Sequence, residues 1–146
     1  MKQLVNTKDG LKEIEVTEDE LLKEVSKNYV HEQWAEYVLK DGTKVHVASS
    51  GVILSDEDWQ GEDNIDYSKN MPAKLTPNGQ DYKLIGKGDS VHRIVAEAFY
   101  RKYYGETFSF EGKHVHHKDN NSLNNQLWNL IVLQGNVHNE IHHKPF

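Results

Sequence analysis

Apolar and polar residues alternate along this chain with two periods, and each change of period marks an element. Thr17-Glu18-Asp19-Glu20 is a capping box, and Leu21, Leu22, Val25, Tyr29 and Val30 follow at helical spacing, which predicts a helix to about Val30. The period then falls to two. Trp34 to Lys40 and Thr43 to Ala48 alternate and are joined by Asp41-Gly42, which predicts a β-hairpin with a type I′ turn. Ser50-Gly51 punctuates, and Val52-Ile53-Leu54 is a third short strand. Polar, acidic, turn-forming residues from Ser55 to Gly79 predict a long surface loop, and Asp81 to Ile85 is a candidate strand.

Ser90 is placed to cap a second helix whose apolar face is Val91, Ile94, Val95, Ala98 and Phe99, ending near Gly105. Last come a strand around Val115, a loop from Asp119 to Asn125 rich in Asn and Asp, a return strand from Asn129 to Leu133, and a helix from Asn136 to His143. The expected class is α+β: an N-terminal helix with small antiparallel strands, then a C-terminal ββα unit. Residues 1–80 read as an accessory region of helix, hairpin and acidic loop, and 81–146 as the domain that carries the chemistry.

Composition narrows this picture. The 146 residues fit one domain with a sizeable core, and the absence of cysteine excludes disulfides and thiolate zinc sites. No apolar run approaches the ~20 residues a membrane span needs, and MKQLVNTKDG has no apolar signal region, so a soluble, cytoplasmic protein is expected. The net charge of −6 argues at first against nucleic acid. It is unevenly spread. Residues 1–89 hold 11 basic and 18 acidic residues, a balance of −7, whereas 90–146 hold 6 and 5, with seven of the nine histidines. The acidic front half suits a basic protein partner. Asp56, Asp58, Asp63 and Asp66 lack the order of a calcium loop and read as a solvated acidic stretch.

The candidate chemistry lies in HVHHKDNNSLNNQLWNLIVLQGNVHNEIHH, from His114 to His143. On a helix, His138 and His142 fall one turn apart on one face, the spacing of a metal-ligating pair. Either His116 or His117 would complete a three-nitrogen site from the strand, leaving the other as a base. His114 shares a strand face with His116 and is an alternative ligand. Neutral imidazole, with a reference pKa near ~6.5, accepts a proton from water at neutral pH. Asp119 reads as a brace of the loop, Trp128 as packing, and His31 and His46 as structural or exposed. A zinc protease is excluded by Asn139, which stands where that pattern needs Glu directly after the first His.

The segment from Lys113 to His143 resembles the HNH endonuclease motif of the ββα-metal nucleases. VHRIVAEAFY, from Val91 to Tyr100, resembles the helix preceding that motif in phage and intron-type members. HHKDNNSLNN resembles their loop, with Asn120 where a glycine is common. The resemblance implies a DNA endonuclease with His117 as general base and Asn129 bracing loop and base. It also implies one divalent metal, Zn, Ni, Mn or Mg, held by His116, His138 and His142. Nitrogen ligands favour the transition metals of that set over Mg. Arg93, Lys118 and His143 are candidate phosphate contacts. A phage-type enzyme acting in its bacterial host's cytoplasm, and leaving 5′-phosphate and 3′-hydroxyl ends, is what the resemblance suggests. The alternative is a non-catalytic module that a metal stabilises and that binds nucleic acid or protein.

Overall fold

A computed structural model describes residues 2–17, 31–74, 84–85 and 89–134; the helices expected after Thr17 and from Asn136 lie outside them. The chain opens with a hairpin that the alternation did not announce. Strand β1 (Lys2–Thr7) pairs antiparallel with β2 (Gly10–Glu15), Lys2 opposite Glu15 and Thr7 opposite Gly10. Gln3 to Thr7 are all buried. A strand covered on both faces loses the period of two, and here buried Gln3 and Asn6 interrupt the apolar run as well.

Strands β3 (Trp34–Val38), β4 (Lys44–Ala48) and β5 (Ile53–Ser55) form an antiparallel sheet in that order; the β3–β4 hairpin follows the alternation, and β5 overlaps the expected third strand. The turn is different from the expected type I′. Gly42 N–H donates to Leu39 O at 2.9 Å and Leu39 N–H to Thr43 O at 2.8 Å, which closes a three-residue loop with a bulge at Gly42, φ 91°. A type I′ turn needs positive φ at both central residues, and among the described residues only Asn120 adopts it outside glycine. Asp41 instead accepts the Thr43 N–H on its Oδ1 at 2.9 Å.

The acidic stretch after β5 is held down rather than loose. Trp59 and Ile65 pack on the cluster of Trp34, Ala48 and Leu54, and His46 stacks on Trp59 at 4.3 Å while its Nε2 meets Asp56 Oδ1 at 2.7 Å. His46 is thus structural. Asp66 caps a short 3-10 turn, and Asn70 accepts the Ile53 N–H just before helix α1 (Met71–Lys74). Strands β6 (Leu84–Ile85) and β7 (Asp89–Ser90) pair briefly.

Helix α2 (Val91–Tyr104) buries the five predicted apolar residues and ends at Gly105, φ 112°. Ser90 occupies the N-cap position with an extended backbone, but its side chain makes no capping bond, contrary to expectation. Strands β8 (Lys113–His117) and β9 (Leu130–Gln134) form the last hairpin. Asn129, expected to open the return strand, ends a 3-10 turn before it.

The architecture is mixed α and β, with small antiparallel sheets. One apolar cluster takes Leu4 from β1, Val45 and Val47 from β4, Val95 and Phe99 from α2, and Leu130 from β9. The division at residue 80 therefore separates segments of sequence that share a core in space. No helix among the described residues is long and apolar enough to cross a membrane.

Candidate active site around His117

Directly paired residues of neighbouring strands share a sheet face, and successive residues alternate between faces. His117 lies opposite Leu130 and His116 opposite Ile131. Leu130 belongs to the main core with α2, while Ile131 packs with Leu133, Val16 and Ile14. The adjacent histidines therefore part company. His117 faces the α2 side and His116 the β2 side, and both are buried, at 7% and 1% exposure.

The loop after β8 is built by its Asx residues. Asn120 N–H donates back to His117 O at 3.0 Å, and Asn120 itself is left-handed, φ 59°. Asparagine suits that conformation, which it tolerates better than most side chains. The Asp119 carboxylate accepts from Asn121 N–H, Asn124 Nδ2 and Asn129 Nδ2 at 2.8, 2.8 and 2.9 Å. Asn129 completes the brace: its Nδ2 also donates to Asn124 O at 2.9 Å, and its Oδ1 accepts Asp119 N–H at 3.2 Å. The amide of Asn129 is thereby spent on the loop.

One side-chain partner of the candidate base is Asn125. His117 Nε2 lies 2.7 Å from Asn125 Oδ1. A carbonyl oxygen only accepts, so Nε2 carries the proton and the neutral ring has its lone pair on Nδ1. Burial pushes the His117 imidazole below its ordinary value, against the opposing effects of the Asn125 hydrogen bond and the Asp119 carboxylate. The setting favours the neutral imidazole over its charged form.

Helix α2 adds a residue that sequence reasoning passed over. The His92 ring lies 5.0 Å from that of His117, with the planes 48° apart. Burial first, then His117 and Arg93, push its pKa down to about 3. The available signal was its position within VHRIVAEAFY, in the first helical turn; Asn125 likewise stood unremarked in the Asn-rich loop. Gln3 gave no signal at all.

The other expected contacts are placed as follows. Arg93 stacks its guanidinium over Phe110 at 5.4 Å and lies 3.9 Å from Glu97, on the helix turn that carries His92. Lys118 is buried, and its Nζ donates to Gln3 Oε1 at 2.8 Å. Gln3 in turn donates from Nε2 to the carbonyls of Trp128 and Leu130, at 2.9 and 3.2 Å. Lys118, expected as a phosphate contact, thus turns inward and ties the motif's loop to β1.

His138, His142 and His143 lie outside the described residues. Among the described residues no group of three or more His, Asp or Glu side chains forms a metal cluster; they include the expected ligand His116 and its alternative His114. The buried imidazole of His116 is a donor type suited to zinc or nickel. A cavity of about 550 Å³ lies elsewhere, between Trp34, Trp59, Arg101 and Lys102, and includes none of the motif's residues. No family model, no curated protein and no solved structure matches the chain.

Proposed function

We propose that this protein is a metal-dependent DNA endonuclease of the HNH type, with His117 as its general base. The observation that carries the reading is the Asn125–His117 contact, in which a buried neutral imidazole is given one tautomer at the mouth of a braced Asx loop. A base needs a defined lone pair and a pKa that leaves it unprotonated, and His117 has both. In the reaction, Nδ1 takes the proton of a water whose oxygen bonds to phosphorus. The P–O3′ bond breaks, the 3′-oxygen takes a proton from solvent, and the ends are 5′-phosphate and 3′-hydroxyl.

The expected metal belongs to the same proposal. His116 would hold it together with His138 and His142, and a bound divalent cation would supply charge neutralisation at the phosphoryl and leaving oxygens. Asn129 and Asp119 serve by fixing the loop. DNA is the proposed substrate, and the +1 balance of residues 90–146 opposes it less than the acidic front half does.

Supercoiled plasmid tests the reading. Metal-stripped wild type and His117→Ala are supplied separately with Mg, Mn, Ni and Zn. Wild type should regain relaxation with at least one metal, and the variant should lose roughly 10²–10⁴-fold while still binding metal. Equal cutting by both proteins would remove His117 as the base. Tight metal binding without cutting by wild type would leave a non-catalytic, metal-stabilised module.

A further inference from the structure

His117 is held at Nε2 by Asn125, which comes from the loop. Its ring is met by His92, which comes from the first turn of α2. The two contacts reach the imidazole from different elements, and both elements are anchored. Val91, Ile94 and Val95 sink the start of α2 into the main core, and Gln126 to Asn129 tie down the end of the loop through the 3-10 turn.

We propose that His92 is a positioning residue for His117, its ring holding the candidate base so that Nδ1 keeps a single direction. The catalytic consequence rests on the endonuclease reading; the ring contact does not. His92 suits the role electrostatically. Burial keeps it neutral above about pH 3, so it adds no second positive charge when His117 takes up a proton. Displacing a catalytic group by about 1 Å costs on the order of 10²-fold in rate, which sets the scale of the effect.

The test uses the full chain labelled with ¹⁵N-histidine, as wild type, His92→Ala and His92→Phe. Imidazole ¹H–¹⁵N spectra report the His117 tautomer, and plasmid relaxation gives kcat and KM. Wild type should show His117 as one Nε2–H tautomer. His92→Ala should shift and broaden the His117 ring signals while the Asn125 bond keeps the Nε2–H tautomer, and lower kcat by about 10- to 100-fold, with KM changed by less than about 3-fold. His92→Phe, which restores a ring without nitrogens, should recover both properties to within about 3-fold. His92→Gln supplies the ring-free arm if the alanine variant melts below the assay temperature.

An unchanged His117 spectrum and kcat in the ring-free variants would overturn the proposal. So would equal impairment of the ring-free and phenylalanine variants, because the nitrogens of His92 would then matter instead of its ring contact. Should wild type cut with no metal, the endonuclease reading falls, and the spectra still decide the role of His92.

Discussion

Gly51 sits against Asn125 so closely that a Cβ at Gly51 would meet the Asn125 carbonyl oxygen at 3.3 Å. The neighbouring Ser49 carbonyl accepts the Leu127 N–H at 2.7 Å. The β4–β5 turn therefore backs the loop whose Asn125 holds His117. A feature read from sequence as punctuation is a support of the candidate site.

Gly51→Ala should act on both the fold and the site. Gly51 has φ 96°, which L side chains rarely adopt, so the substitution should cost about 1–2 kcal/mol in urea unfolding. It should also lower plasmid relaxation more than the lost stability explains, because Asn125 must shift. Unchanged activity in folded protein would show that the turn does not set the position of Asn125.

Asn125 and Asn129 should separate by phenotype. Asn125→Ala removes the acceptor that fixes the His117 tautomer and should lower kcat by roughly 10- to 100-fold, a larger effect than its loss of one buried bond, about 1 kcal/mol, has on stability. Asn129→Ala removes three buried bonds of the loop and should cost about 1–3 kcal/mol in urea unfolding. Parallel losses of stability in both variants would contradict this division.

Gln3 and Lys118 should be coupled. Gln3→Leu takes one acceptor from a buried ammonium and a donor from two carbonyls, and should destabilise by roughly 2–3 kcal/mol. Adding Lys118→Met removes the buried charge and should restore part of the loss. A double-mutant cycle measures this, and strict additivity would show that the Gln3–Lys118 bond carries no coupling.

Mild acid should weaken the fold through His92. His92 has a folded pKa of about 3 against an ordinary 6.5, so between those values the unfolded chain binds a proton that the folded protein refuses. Stability contributed by the neutral ring is therefore full above pH 6.5 and declines as the pH falls towards 3. His117, also held below its ordinary value, acts in the same direction. Asp119 works lower: burial raises its pKa, but the bonds from Asn124, Asn121 and Asn129 outweigh this, so its contribution is lost below the ordinary 3.8. Urea midpoints at pH 7.5 and 5 should differ more for wild type than for His92→Phe. Equal differences would remove His92 as a source of the acid sensitivity.

The sequence by itself determined several local elements and the residues that are candidates for chemistry. Period-two runs marked β3 and β4, a short apolar run marked β5, helical spacing marked the buried face of α2, and Asx residues marked the loop that Asp119 and Asn129 brace. These are properties of neighbours along the chain, so composition and spacing reveal them. His116 and His117 were legible as a pair for the same reason.

Only the tertiary structure decided what meets the pair. Strand alternation and the burial of two different faces sent His117 towards α2 and His116 towards β2. Asn125, His92 and Gly51 gather at His117 or its loop because a common core packs the β4–β5 turn, α2 and the last hairpin together. Gln3 reaches Lys118 across 115 positions of sequence. A hydrogen bond over such a separation leaves no periodic trace, since it depends on where two strands are packed and not on what stands beside either residue.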